Sequence, residues 1–290
     1  AYGRYAFLVT LPVFLLGGNH DLPYALGRAT ALDIYPTLGV PLVHVGARLE
    51  TYVVETRHGG QARSPAHPEP FGFAQDRPVE GRGEFSPSPY PSPLKGEGTR
   101  LQIVALPWVT RSHLLTFDEY KNLSAQALNE VMERKIEELL QHELARLDPD
   151  VPAVLAGHVT VAAARTGSER SMMVGRDPVV LKSTLADPRL DYVALGHVHR
   201  MQVFEGPTPA VYSGSLQRVD FGEEDQEKGF YVVDLDPAAP LGQRLRSYDF
   251  VPVHARAFVT IEVRSRSGNP TEDVLRAIAR REKDIEDAIM

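Results

Sequence analysis

Residues that can bind metal ions follow three apolar segments of the sequence, at the point where each segment ends. They are Asn19, His20 and Asp21 after residues 12–16, His158 after residues 152–156, and His197 and His199 after residues 192–195. Neutral imidazole and amide groups suit borderline cations such as manganese, zinc and iron. His197 and His199 are two residues apart, so in an extended backbone their side chains leave on the same side and can serve one centre or two adjacent ones. A single Gly-His pair is a weak signal, but three segment ends with the same pattern predict a metal site.

The other six histidines have no such setting. They are His44, His58, His67, His113, His142 and His254. We interpret them as structural or solvent-exposed residues.

The three apolar segments are short and bounded by Pro or Gly, which is typical of strands buried on both faces. Residues 124–147 carry apolar side chains at helical spacing, and residues 177–185 predict a further helix or turn. Strands that alternate with helices predict an α/β layered domain. In such sheets ligands bind beyond the carboxyl ends of the strands, so we expect the candidate ligands to converge in one pocket there.

Five further segments have strand patterns, and several follow one another without a helix between them. They are residues 42–45, 51–55, 101–106, 210–213 and 230–235. Consecutive strands of this kind predict a second, partly antiparallel sheet packed on the first.

The composition is that of an ordinary globular chain. Of the 290 residues, 43% are hydrophobic and 24% are charged, which excludes disorder of the whole chain. No apolar run reaches the roughly 18–20 residues that a membrane span needs. The net charge of −7 excludes a general basic surface, so contact with nucleic acid would require a local patch or bound cations. The absence of cysteine excludes disulfides and thiolate metal sites, and it favours a cytoplasmic protein.

Residues 57–100 differ from the rest of the chain. They contain eight of the 23 prolines, interleaved with Gly, Ser and Arg, and almost no aliphatic residues. Such a segment cannot bury enough apolar surface to offset the entropy lost on ordering, so we expect a disordered insertion between two strands. The run 86–93 also favours polyproline II, for which an SH3-type ligand is the alternative interpretation.

A new pattern begins after residue 250. Residues 258–263 predict a strand, and Asn269, Pro270 and Glu272 predict the start of a helix that runs towards Met290. One strand and one helix cannot make a core, so residues 251–290 predict the beginning of a small α/β capping domain.

Two sets of motifs resemble a known family. The first set is Gly18-Asn19-His20-Asp21, Gly157-His158 and Gly196-His197-Val198-His199. In this order it resembles the third, fourth and fifth motifs of the calcineurin-like metallophosphoesterase superfamily. The second set is Ala105-Leu-Pro-Trp108, Gly167-Ser-Glu-Arg170, Asp191-Tyr-Val-Ala-Leu-Gly-His197, Tyr212-Ser-Gly-Ser215, Phe221-Gly-Glu-Glu224 and Lys228-Gly-Phe230. It is similar to the SbcD-type DNA exonucleases, which work with an SbcC-type ATPase in double-strand break processing.

The resemblance implies a fold and a set of roles. The fold is a layered metallophosphoesterase sandwich, in which two packed mixed sheets are flanked by helices. Asn19, His158 and His197 would bind one of two divalent metal ions, expected to be Mn²⁺, and His199 would bind the other. The resemblance also implies duplex DNA ends as substrate, 3′-to-5′ degradation and a homodimer.

The resemblance assigns His20 a place over the scissile phosphate, where an imidazole can stabilise developing charge and assist departure of the leaving oxygen. Asp21 would orient His20, or it closes the turn after the strand; both interpretations remain open.

The first two motifs of the family, an Asp-x-His and a Gly-Asp, have no counterpart in residues 1–11, which contain neither Asp nor His. Asn and His are neutral and cannot by themselves offset two divalent cations. We therefore expect residues 1–250 to be an N-terminally incomplete nuclease domain that is impaired in metal binding and cleavage. Two alternatives remain open: a phosphodiesterase acting on a nucleotide or another small phosphodiester, and an inactive subunit that binds an ATPase partner.

Overall fold

A computed structural model describes residues 12–21, 30–38, 42–56, 99–110, 114, 121–167, 179–265 and 268–290. In these ranges the strands are β1 (Val13–Leu16), β2 (Val43–Gly46), β3 (Glu50–Thr56), β4 (Thr99–Leu106), β5 (Ala153–His158), β6 (Thr160–Val161), β7 (Val179–Val180), β8 (Tyr192–Gly196), β9 (Gln202–Phe204), β10 (Ala210–Tyr212), β11 (Gly229–Leu235) and β12 (Leu245–Pro252). The helices are α1 (Ile34–Leu38), α2 (Ala125–Leu144), α3 (Lys182–Leu185), α4 (Pro270–Arg280) and α5 (Glu282–Ile285). No helix among the described residues is long and apolar enough to cross a membrane.

Six strands form the main sheet, in the order β3-β4-β5-β8-β10-β9. The inner pairs β4–β5, β5–β8 and β8–β10 are parallel, whereas the outer pairs β3–β4 and β9–β10 are antiparallel. Val104, Leu155 and Val193 on the central strands are fully buried. A mixed sheet with buried parallel strands and flanking helices confirms the predicted α/β class.

Helix α2 covers part of this sheet. Ser124 caps its start by accepting a hydrogen bond from the Ala127 amide. Its buried stripe has four-residue spacing and consists of Leu128, Met132, Ile136, Leu140 and Leu144. The last three belong to the same core cluster as Val104 and Leu155, so the stripe fixes the helix against β4 and β5.

A parallel pair of strands, β1 and β2, lies beside the main sheet. The Gly17 amide donates to the Gly46 carbonyl at 3.1 Å, and the Trp108 amide donates to the Gly17 carbonyl at 2.9 Å. Because Trp108 follows β4 directly, these bonds place the carboxyl end of β1 next to that of β4.

The strands predicted for a second sheet divide differently. β3, β4 and β10 belong to the main sheet, because β4 and β10 each pair with a parallel central strand on one side and an antiparallel neighbour on the other. β11 lies outside the main sheet, where it pairs with β12 in an antiparallel sheet of two strands. Residues 179–185, within the predicted helix or turn, form the short strand β7 and the single turn α3.

The insertion is shorter than predicted at its carboxyl end. Residues 57–98 lie outside the described residues, but Thr99 and Arg100 already belong to β4. They pair with Thr56 and Glu55 of β3, which explains their strand structure despite the polar sequence.

The strand predicted at residues 258–263 is wrong. In this segment Phe258 alone forms a ladder contact, a parallel bridge to Ile289, and the Thr260 amide donates to the carboxylate of Glu224 instead of to a strand. The helix start is confirmed, since Asn269 accepts from the Glu272 amide and Pro270 is the first helical residue. The helix ends earlier than predicted, at Arg280, and the chain then returns to Phe258. The division into a nuclease domain and a capping domain stays a prediction.

Candidate metal and phosphoester site

The carboxyl ends of three parallel strands bring the predicted residues to one edge. Asn19 follows β1 after two glycines, His158 is the last residue of β5, and His197 follows β8. β5 and β8 are neighbours in register, with His158 opposite Gly196. The sheet topology thus supplies the convergence that the strand-end pattern predicted.

Asn19, His158 and His197 form the centre of this site. His158 Nε2 lies 3.0 Å from Asn19 Oδ1, so the two side chains share a hydrogen bond. The imidazole rings of His158 and His197 are 5.2 Å apart between centroids and nearly perpendicular, and the Nε2 atom of His197 is buried. These donor atoms lie close enough to serve one small ion.

Trp108 forms a wall of the site, a role that the sequence did not assign. Its indole ring lies 4.7 Å from the His197 ring and 6.2 Å from the His158 ring, between centroids. The hydrogen bond from its amide to Gly17 anchors it at the end of β4. Its position in the motif Ala105-Leu-Pro-Trp108 was the available signal.

Two glycines make room for the His158 ring. A Cβ atom on Gly18 would lie 2.8 Å from His158 Cε1 and 3.0 Å from Nε2, and one on Gly196 would lie 3.1 Å from Nδ1. The first distances are shorter than real side chains tolerate. The Gly-Asn and Gly-His sequences therefore reflect close approach of backbone to an imidazole ring.

His197 has a strained backbone. Its φ angle is +91°, which L-residues rarely adopt, and no glycine marks this position. Strain of about 1–3 kcal/mol persists where surrounding structure imposes it, and such residues cluster at functional sites.

The environment keeps His158 neutral. Burial, together with the charges of neighbouring histidines, of which His197 acts most strongly, lowers the pKa of His158 to about 4, while Asp21 acts in the opposite direction. His20 and His199 also lie close enough to contribute. A neutral imidazole retains the lone pair that a metal ion requires.

His199 is held by a buried ion pair. Its Nδ1 atom lies 2.8 Å from Glu223 Oε1, and Glu223 Oε2 lies 2.8 Å from Lys228 Nζ. The side chains of Glu223 and Lys228 are both fully buried. Burial alone would raise the pKa of Glu223, but hydrogen bonds from Lys228, His199 and the Val219 amide reverse this, so the pKa lies below its ordinary value. Sequence reasoning placed Glu223 and Lys228 in family-like motifs but gave them no role.

Asp21 closes the turn after β1. Its Oδ2 atom accepts from the Gly18 amide at 2.8 Å, and its own amide donates to the Gly18 carbonyl at 3.1 Å. The turn presents Asn19 towards His158 and leaves the His20 side chain exposed. The orienting role of Asp21 and the catalytic role of His20 stay predictions.

The remaining histidines do not join these residues. His44 lies on β2, where burial lowers its pKa, and His142 and His254 are exposed. His58, His67 and His113 lie outside the described residues.

The described side chains fit a divalent cation in kind. Neutral imidazole nitrogens and an amide oxygen suit a borderline metal such as Mn²⁺ or Zn²⁺. The described residues contain no group of three or more His, Asp or Glu arranged to hold one ion, so Asn19 and the histidines are part of a ligand set. Negative charge has to come from elsewhere.

Paired His residues at the strand ends of an α/β sheet, with an exposed His beside them, define a phosphoesterase-type metal site. Residues 1–201 match the family described as calcineurin-like phosphoesterase, and the chain belongs to this family.

Among curated relatives, the chain is 29% identical over 233 residues to the SbcD subunit of the nuclease SbcCD from Bacillus subtilis (strain 168), covering 78% of this chain and 47% of that protein. It is 30% identical over 157 residues to the SbcD subunit of the nuclease SbcCD from Staphylococcus epidermidis (strain ATCC 12228 / FDA PCI 1200), covering 53% of this chain and 37% of that protein. The chain thus spans half or less of the length of these relatives. Their similarity confirms the predicted SbcD-type resemblance.

Proposed function

We propose that this protein is an SbcD-type, metal-dependent DNA nuclease that hydrolyses phosphodiester bonds during double-strand break processing. The observation that carries the proposal is the meeting of Asn19, His158 and His197 at one sheet edge, with His199 anchored beside them. This arrangement belongs to a chain similar to two nuclease subunits.

The side chains would have distinct tasks. Asn19, His158 and His197 would hold one cation and His199 a second. Bound divalent cations would supply activation of water and stabilisation of charge on the phosphate. His20, whose side chain is exposed beside this centre, would contact the phosphate and protonate or stabilise the leaving oxygen.

The partners follow from the similarity. The names of the two relatives support an SbcC-type ATPase subunit as partner and DNA as substrate. We further propose a homodimer, Mn²⁺ as the working cation and the cytoplasm as location.

Metal binding by the 290-residue chain should be weak. Its candidate ligands are neutral, and two cations about 4 Å apart repel each other strongly unless carboxylates offset their charge. A chain extended at its N-terminus by a segment with an Asp-x-His and a Gly-Asp motif is the matched comparison. We expect the extended chain to cleave DNA with Mn²⁺ and the 290-residue chain to show little cleavage.

The test combines calorimetric Mn²⁺ titration with cleavage of duplex DNA, bis(p-nitrophenyl) phosphate and a cyclic nucleotide. In the extended chain, His20→Ala should retain Mn²⁺ affinity and lose cleavage by about 100-fold or more. His197→Ala should weaken Mn²⁺ binding itself, and His254→Ala, at an exposed histidine remote from the proposed ligand set, is the control.

Three outcomes would refute the proposal. Cleavage of the small diesters without DNA would favour the phosphodiesterase alternative. Binding of an SbcC-type ATPase by an extended chain that cleaves nothing would favour the inactive subunit. A His20→Ala chain that loses Mn²⁺ but still cuts at high Mn²⁺ would reverse the assigned roles.

A further inference from the structure

Glu223 lies in a single 3-10 turn, Phe221–Glu223, that begins at Asp220. Asp220 fixes the turn by accepting from the Gly222 amide at 2.7 Å. The turn directs the Glu223 carboxylate towards His199, which is 24 residues earlier in the sequence. A fully buried carboxylate is costly unless each oxygen is engaged, so this arrangement calls for a role.

Each oxygen of Glu223 has its own partners. Oε1 receives His199 Nδ1 at 2.8 Å. Oε2 receives Lys228 Nζ at 2.8 Å and the Val219 amide at 3.1 Å. A backbone amide and an ammonium group are donors only, so the atom at the Oε2 position has to be an acceptor.

Lys228 is held as firmly as Glu223. Besides Glu223, its Nζ atom donates to Ser215 Oγ at 2.9 Å, to Gln226 Oε1 at 3.1 Å and to the His199 carbonyl at 3.3 Å. The pair is therefore a rigid, fully hydrogen-bonded unit that contacts His199 through both its ring and its backbone.

We infer that Glu223 is a positioning residue that fixes His199 as the Nδ1–H tautomer and so presents Nε2 as its metal-binding atom. An ionised carboxylate can only accept, so the Nδ1 atom must donate and the lone pair resides on Nε2. Lys228 keeps the carboxylate charged and oriented. The inference rests on the proposed function in one respect, the binding of a metal ion by His199.

The substitution Glu223→Gln tests the inference without changing side-chain size. Lys228 and the Val219 amide force the new amide to place its oxygen at the Oε2 position. The NH2 group then faces His199 Nδ1, and because NH2 only donates, Nδ1 has to accept and the proton moves to Nε2. The variant should invert the tautomer of His199.

The measurement is a long-range ¹H–¹⁵N spectrum of the metal-free 290-residue chain with ¹⁵N-labelled histidine. The His199 signals are assigned by their loss in His199→Ala. We expect Nδ1–H in the unmodified chain and in the control Glu224→Gln, and Nε2–H in Glu223→Gln. Glu224 is the adjacent residue, and its carboxylate accepts from the Thr260 amide rather than from His199.

An Nε2–H tautomer in the unmodified chain overturns the inference, and this result does not depend on whether any variant folds. An unchanged tautomer in a folded Glu223→Gln chain, with folding checked by circular dichroism, also overturns it.

Calorimetric Zn²⁺ titration adds the link to metal binding. We expect Glu223→Gln to lower the affinity by about 10–100-fold relative to Glu224→Gln. If the tautomer inverts but the unmodified chain binds no metal in either its 290-residue or its extended form, the positioning role stands and the proposed function fails. If metal binds equally well to both variants, the positioning role fails and the proposed function stands.

Discussion

Replacing Gly18 by alanine should damage the site, whereas the same change at the adjacent Gly17 should not. A Cβ atom on Gly18 would lie 2.8 Å from His158 Cε1, and ordinary contact begins near 3.4 Å, so the ring must move by about 0.6 Å. A Cβ atom on Gly17 would have its nearest neighbour, the Gly46 carbonyl oxygen, at 3.7 Å. Neither glycine has a positive φ, so alanine can adopt both backbone conformations.

The displaced ring has little room. His158 also packs against Gly196 and shares a 3.0 Å hydrogen bond with Asn19 Oδ1, which a shift of about 0.6 Å would stretch beyond useful length. Overpacking of this kind costs about 1–3 kcal/mol. Gly17→Ala should instead be neutral or stabilise by about 0.4–1 kcal/mol, because alanine has less freedom in the unfolded chain.

The assay is urea unfolding followed by far-UV circular dichroism, with the histidine ¹⁵N spectrum as a local readout. Gly18→Ala should have the lower urea midpoint and shifted His158 signals, while Gly17→Ala keeps both. Equal midpoints and an unchanged His158 signal in Gly18→Ala would show that the ring is not confined as the distances indicate.

Three further predictions address other parts of the molecule. Trp108 is the single tryptophan and lies 4.7 Å from the His197 ring, so Mn²⁺ should quench its fluorescence in a saturable way that His197→Ala abolishes; unsaturable quenching would place the metal elsewhere. Tyr212→Phe should lower the free energy of unfolding by about 1–3 kcal/mol in urea titrations, because the buried hydroxyl bonds the Val159 carbonyl and the Val161 amide, whereas Tyr248→Phe, at an exposed hydroxyl, should have little effect. Replacing residues 57–98 by Asn-Gly should leave the melting temperature nearly unchanged, because Thr56 and Thr99 are directly paired and a two-residue turn can join them; a large decrease would show that the segment contributes to packing.

The strand ends were predictable because local sequence carries their signal. A buried strand is written as a short apolar run, and the turn that follows needs glycine and polar residues. Asn19, His158 and His197 occupy such positions, so their convergence follows once the strands are parallel neighbours. The bounds of β5 and β8 differ from the apolar runs by one or two residues.

Partners that tertiary structure alone brings together were not predictable. Glu223 and Lys228 lie in a loop without periodicity, and their link to His199 depends on the packing of that loop. The same holds for the wrong strand at residues 258–263. Alternating apolar residues favour a strand, but a strand needs a ladder partner, and the Thr260 amide is bound by a glutamate side chain instead.

The charges around the site explain why its described half is incomplete as a metal centre. Asn19, His158 and His197 are neutral, and the negative charge of Glu223 is offset at 2.8 Å by Lys228. Glu223 can therefore orient His199 without contributing net charge to a cation. Asp21 is the carboxylate that acts electrostatically on His158, yet its Oδ2 atom is engaged by the Gly18 amide. The described residues thus supply geometry and lone pairs, while the charge that holds divalent cations must come from additional carboxylates or from the phosphate of a substrate.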